Sequence, residues 1–351
     1  MTRLRRAQTP AGTTPDTTGY NTGSLPRPAR PQPTSGPRLA PAPTSIQALG
    51  LAVAAARTAV ADARRAEELG FDYLACGEHL FFQVAPNPFV QLAAAAGVTT
   101  RIRLVSTVNL LPLYPAPLVA KLAATLDQVS DGRFELGVGA GGEAPDEFAA
   151  AGVDPAERFR RLEEGLRVLR LLFSGERVRY EGRFTSLRDV VLDPPPVRPG
   201  GPPIWLGGRG DGAIRRAGRY ADTWLPYMVT PEMFQAGLHR VRAAAGEYGR
   251  DAARVGGALF ALVCADRDAA WARRTGIAMV SATYRQDFAP LADRYLFLGS
   301  PGQVVRRIRE FADGGAGTVI LQIAADPDLR ERVLRTLAED VLPELRGGSG
   351  R

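Results

Sequence analysis

The apolar positions of this chain fall into two alternating patterns. Short contiguous apolar runs recur between longer segments in which apolar residues return every three or four positions. The first pattern is that of strands buried on both faces, the second that of amphipathic helices. Both are clearest over residues 101–142, RIRLVSTVNLLPLYPAPLVAKLAATLDQVSDGRFELGVGAGG. Arg101–Val108 reads as a buried strand. Pro115 and Pro117 fit only a helix start, and Leu118, Leu122 and Leu126 then recur at helical spacing. Ser130-Asp131-Gly132 ends that helix, and Phe134–Val138 is a second strand running into Gly139-Ala140-Gly141-Gly142. A strand, a crossover helix and a parallel strand form a right-handed βαβ unit.

The same reading along the chain predicts strands over 46–53, 71–76, 203–206, 221–226, 255–265 and 318–323. It predicts helices over 57–69, 87–97, 143–151, 155–174, 211–220, 231–248, 267–276, 303–312 and 329–345. Ser300 and Pro301 supply an N-cap and a first-turn proline. Residues 177–192 alternate around Glu181-Gly182 as a hairpin, and 279–298 reads as irregular and aromatic. Strands alternating with helices predict an α/β fold, a (β/α)8 TIM barrel. It would be one domain over 45–351, with insertions at about 143–200, covering the barrel top, and 279–298.

Composition changes this picture at one end only. Residues 1–44 are rich in Pro, Thr, Ser and Gly and hold six arginines against Asp16, which is most of the net charge of +7. They lack apolar anchors and are expected to be a disordered tail. The remainder is close to neutral, which argues against a nucleic-acid-binding face. No apolar run reaches the ~20 residues of a membrane span, and no apolar segment follows the N-terminal arginines as a secretory signal requires. Cys76 and Cys264 are the only cysteines. They make neither a disulfide framework nor a metal cluster, which fits a cytoplasmic protein.

Candidate chemistry gathers at the carboxyl ends of the predicted strands, where barrels of this kind bind ligands. Ser106-Thr107-Val108-Asn109 follows one strand and the Gly139–Gly142 cluster another. Glu78-His79 follows a third, as an acid/base pair or as a structural histidine. Glu143 stands at the rim as a further proton carrier. Gly207-Gly208-Arg209-Gly210 precedes a helix that Asp211 can cap. Amides, helix dipole and guanidinium there form an anion site suited to phosphate. His239 reads as a surface residue. Phe81, Phe82, Phe89, Tyr284 and Phe288, on loops 79–90 and 279–298, are expected to line a partly apolar substrate pocket.

The segments GFDYLACGEHL, LDQVSDGRFELGVGAGG, ERFRRLEEGLRVLRLLFSGE, PPIWLGGRG and LGSPGQVVRRIREFADGGAG occur in that order. Together they resemble the luciferase-like family of flavin- and deazaflavin-dependent oxidoreductases, over about residues 46–346. The resemblance implies that His79 and Glu78 face the reactive ring and that Glu143 lies near a proton-donating glutamate. It implies a non-proline cis peptide at Thr107-Val108 against the back of the ring. Thr107, Val108, Asn109 and Gly141 would contact the cofactor, and Gly207, Gly208, Arg209 and Gly210 would hold its phosphate. Lys121 is the only lysine, which sets the chain apart from the sugar-phosphate-oxidising subgroup. The function implied is hydride transfer between coenzyme F420 and a small organic substrate. The alternative is a reduced-FMN monooxygenase, and a third reading is a non-catalytic flavin-binding barrel. A flavin or F420 reductase and a second copy of the chain, in a homodimer, are the partners implied. No metal is expected.

Overall fold

The computed structural model describes residues 46–53, 56–81, 85–142 and 144–347. The tail expected over 1–44 lies outside the described residues, and so do Phe82 and Glu143.

The chain opens with β1 (Ala48–Ala52), α1 (Ala59–Glu68), β2 (Tyr73–Cys76) and α2 (Pro88–Ala96). Asn87 caps α2 by accepting hydrogen bonds from the amides of Phe89 and Val90. Next come β3 (Arg103–Ser106), its continuation β4 (Asn109–Leu110), α3 (Ala116–Val129) and β5 (Phe134–Gly139). A short α4 (Pro145–Ala150), a long α5 (Arg158–Leu172) and an antiparallel hairpin of β6 (Val178–Glu181) and β7 (Ser186–Val190) follow. Then come β8 (Ile204–Gly207), α6 (Asp211–Tyr220), β9 (Thr223–Leu225), α7 (Pro231–Glu247) and β10 (Gly256–Ala265). The last part holds α8 (Ala269–Tyr284), α9 (Ala292–Tyr295), β11 (Phe297–Gly299), α10 (Pro301–Asp313) and β12 (Thr318–Ile323). It ends in α11 (Arg330–Thr336), which runs through a π-turn into α12 (Leu342–Gly347).

The parallel strands close a ring in the order β1, β2, β3, β5, β8, β9, β10, β12, with Ala48 to Leu51 paired to Thr318 to Leu321. This is a TIM barrel. Alternate residues of each strand point inward. Tyr73, Val105, Trp205, Leu225, Ala258 and Ile320 pack there as one cluster, while Leu74, Leu104, Leu136 and Leu206 face the helices. Glu135 is buried inside the barrel, where it accepts from Tyr73 Oη at 3.1 Å and Trp205 Nε1 at 2.5 Å and meets the Arg103 guanidinium. The amino-terminal part of the barrel is thereby filled, and the open space lies at the carboxyl ends.

Three local expectations need correction. The predicted helix 267–276 extends to Tyr284, so the first third of the expected irregular insertion is the end of α8. Asp211 does not cap α6: it is the first helical residue, Gly210 is the N-cap, and the Asp211 carboxylate pairs with Arg240 at 2.7 Å. The hairpin does not cover the barrel top. Its turn is held to α5, where Glu164 accepts from the amides of Arg183 and Phe184, each at 2.9 Å.

Candidate functional site

A cavity of about 840 Å³ opens beyond the carboxyl ends of the barrel strands. Its wall includes Glu78 and His79 after β2, Thr107 and Val108 between β3 and β4, and Gly141 after β5. Gly207, Gly208, Arg209 and Gly210 complete it after β8. The structure thus brings together the predicted site residues with two exceptions. Asn109 is fully buried behind the wall, and Glu143 is not described. The aromatic expectation holds only in part. Tyr284 lines the cavity, together with Phe159, Tyr227 and Phe260. Phe89 packs in the barrel–helix core against Phe134, Phe288 is buried in a cluster beside α8, and Phe81 is 70% exposed.

The wall formed by Thr107 and Val108 is a bulge in the sheet. Val105 pairs with Glu135, and Asn109 with Val138, so four steps along one strand match three along the other. The Thr107–Val108 peptide within the bulge is cis. Where the ladder is interrupted, the Ser106 hydroxyl donates to Gly137 O at 2.8 Å and accepts from Gly137 N at 2.9 Å. Missing side chains make the room. A Cβ at Gly137 would stand 1.8 Å from Ser106 O, and one at Gly139 would stand 2.6 Å from Val108 Cγ2. The glycines of β5 therefore seat the bulge.

Behind the bulge, Glu78 is 4% exposed and its carboxylate is fully engaged. It accepts from Asn87 Nδ2 at 2.8 Å, Leu110 N at 2.9 Å, Asn109 Nδ2 at 3.4 Å and the Tyr114 hydroxyl. Burial and this carboxylate push the Tyr114 hydroxyl well above its ordinary pKa. The same two causes raise the Cys76 thiol to about 12, which keeps it protonated and unreactive. This geometry makes Glu78 an anchor for the 109–114 segment.

His79 has a different environment. Its Nδ1 lies 3.1 Å from Oε2 of Glu147, in the first turn of α4. Glu147 is 1% exposed and its other oxygen accepts from Phe81 N at 2.9 Å. A buried carboxylate on Nδ1 fixes the ring's orientation. The sequence analysis missed Glu147. The signal was present in Pro145-Asp146-Glu147, a proline-led helix start on the same rim as Glu143.

At the other end of the cavity, β8 runs into the glycine-rich turn before α6. Gly208 has φ +110°, and its carbonyl accepts from Trp224 Nε1 at 2.8 Å. The amides of Ala213 and Ile214 donate to Gly210 O, whereas those of Asp211 and Gly212 lack intrahelical acceptors at the positive end of the α6 dipole. Gly210 has open space where a Cβ would stand. Arg209 donates to Met228 O at 2.6 Å, which ties this turn to the loop after β9.

A flavin-type group carrying a phosphate fits these residues. The volume is that of a cofactor site, the α6 terminus suits phosphate, and Thr107 Oγ1 on the wall is buried without a partner among the described residues. No group of acidic residues, histidines and cysteines among the described residues is arranged to hold a metal. No described helix is long and apolar enough to cross a membrane.

The sequence profile of the luciferase-like monooxygenases matches residues 34–318. The chain belongs to the luciferase-like family. This luciferase-like barrel is 28% identical over 299 residues to the phthiodiolone/phenolphthiodiolone dimycocerosates ketoreductase of Mycobacterium tuberculosis, covering 72% of this chain and 78% of the relative. It superposes on monooxygenase RslO1 from Streptomyces bottropensis with a TM-score of 0.73 and 26% identity, over 85% of this chain and 99% of that one. An F420-dependent secondary alcohol dehydrogenase, solved with an F420–acetone adduct, gives a TM-score of 0.75 at 21% identity, over 86% and 99% of the two chains. The luciferase-like protein is an oxidoreductase.

Proposed function

We propose that this chain uses coenzyme F420 to interconvert a carbonyl compound and its alcohol. The observation that carries the reading is the His79–Glu147 pair on the cavity wall. When bound, the deazaflavin would supply or accept the hydride. The protein's task is the proton at the substrate oxygen. With Nδ1 engaged by Glu147, that proton passes through Nε2 of His79, and the buried carboxylate holds the ring in place for it. Thr107 and Val108 would back the cofactor ring, and the Gly207–Gly210 turn with the α6 amides would hold its phosphate. Val53, Leu225, Leu262, Met279 and Ile323 form an apolar part of the remaining wall. They exclude water and favour an uncharged substrate. The ketoreductase activity named for the mycobacterial relative agrees with this reading.

The second reading, a reduced-FMN monooxygenase supplied by a partner reductase, is favoured by the 26% identity to RslO1. Binding of F420 and of FMN, each oxidised and reduced and followed by fluorescence, separates the two. Tight F420 binding with weak FMN binding, and ketone-dependent oxidation of reduced F420, are expected. Tight FMN binding with substrate-dependent oxygen uptake would replace this proposal with the monooxygenase.

A further inference from the structure

A polar side chain interrupts the apolar part of the cavity wall. β12 reads TVILQI, and strand alternation turns Thr318, Ile320 and Gln322 inward. Ile320 packs in the cluster that fills the barrel. Gln322, the next inward residue, is half-buried and reaches the cavity. Around it on the wall stand Val53 after β1, Phe260 and Leu262 on β10, and Ile323 and Ala324. Leu262 is its partner in the strand ladder. None of these neighbours has a side-chain hydrogen-bonding group. A carboxamide carries two N–H donors and an oxygen acceptor, and that of Gln322 makes no hydrogen bond with a described residue. Among apolar side chains such a group costs free energy until it is partnered. A parallel strand buried on both faces is ordinarily an unbroken apolar run, and β12 departs from that at the point where it meets the cavity.

The place of this amide relative to His79 gives it a use. β12 and β2 flank β1 on its two sides. At about 4.8 Å per strand, Gln322 stands roughly 10 Å around the ring from the strand that leads to His79. The inward residues of β1 and β2 at this level are Ala52 and Ala75, whose methyl groups leave that span open. We infer that Gln322 is a specificity-determining residue whose carboxamide holds a second oxygen of the substrate, a hydroxyl or keto group a few bonds from the carbonyl that His79 serves. The substrate class is then an uncharged hydroxyketone or diketone and the alcohol that corresponds to it. The inference rests on the carbonyl–alcohol reading of the site.

The test measures oxidation of reduced F420 by cyclic and open-chain ketones, cyclohexanone among them, each beside its monohydroxylated analogues. For the wild type the best hydroxyketone should have kcat/KM about tenfold above its parent ketone, the upper worth of one neutral hydrogen bond. The gain should sit in KM, because the contact is made equally in the ground and transition states. Gln322→Met keeps the reach of the side chain and loses the amide. It should bring the pair to within about twofold by raising KM for the hydroxyketone, while F420 affinity, read by fluorescence, stays close to that of the wild type. Equal kcat/KM for parent and hydroxylated ketones in the wild type, or a preference that survives Gln322→Met, would overturn this inference and leave the carbonyl–alcohol reading standing. Loss of F420 affinity in a variant that melts as the wild type does would place the amide on the cofactor and overturn the inference likewise. Bound reduced F420 that no ketone oxidises would overturn that reading and the inference with it.

Discussion

Glu147 lies 68 residues from the histidine it supports, and only the folded barrel rim brings the two together. Glu147→Gln preserves size but replaces the carboxylate that meets both Nδ1 of His79 and Phe81 N, so the ring loses its fixed orientation. General acid–base catalysis contributes about 10²–10⁴-fold. We expect kcat to fall by about tenfold to a hundredfold, less than the whole of that contribution because His79 itself remains, while cofactor affinity stays within a factor of about two. An equal loss of affinity would mean that Glu147 acts through its bond to Phe81 N, as a fold contact. At this scale the sequence was legible where neighbours in the chain are neighbours in space. Glu78-His79 and the Gly207–Gly210 turn line the cavity as expected. Partners from other loops were not legible, so Glu143 stood out in the sequence and Glu147 did not. The role assigned to Glu78 shifts for the same reason, because its four donors come from residues 87 to 114.

Among the elements, the bulge between β3 and β4 sets the harshest packing condition. Gly137→Ala would place a methyl group 1.8 Å from Ser106 O, a backbone atom that cannot turn aside. Destabilisation of at least about 3 kcal/mol is expected, the upper part of the range for overpacking a core. Denaturant melts of the variant should show it, with cofactor binding lost in whatever protein folds. Unchanged stability would mean that the bulge relaxes freely. The strands were legible because burial on both faces leaves unbroken apolar runs. So was the start of α10, where Ser300 and Gln303 form the reciprocal cap. The end of α8 was not legible. Met279, Val280, Thr283 and Tyr284 face the cavity, so their mixed polarity answers to a ligand and breaks the helical stripe that would have marked them.

For the whole molecule, closure of the ring is what the alternation of patterns foretold, and α11, which follows the last strand, is tied on by a titratable contact. Asp266, next after β10, is 6% exposed and binds Arg332 of α11 through bonds of 2.6 Å and 2.7 Å. Arg332 holds its carboxyl below the usual carboxylate range. A carboxylate depressed in the folded state adds stability that is complete above its unfolded pKa, near 3.9, and is lost as pH falls through its folded value. Asp266→Asn should therefore cost about 1–2 kcal/mol at neutral pH, towards the low end for a charge-assisted hydrogen bond because Arg332 is half exposed. The gap between variant and wild type should close below about pH 4. Urea melts at both pH values check it, and a gap independent of pH would assign the effect to packing. The one-residue offset between β3 and β5 has a consequence for how this barrel can be re-engineered. The bulge that would back the proposed cofactor ring is specified by strand pairing, whereas α8 and the segments around α4 belong to the connections. Exchanging those connections between relatives should carry substrate preference from one protein to another, with the ring plane staying where the backbone ladder has put it.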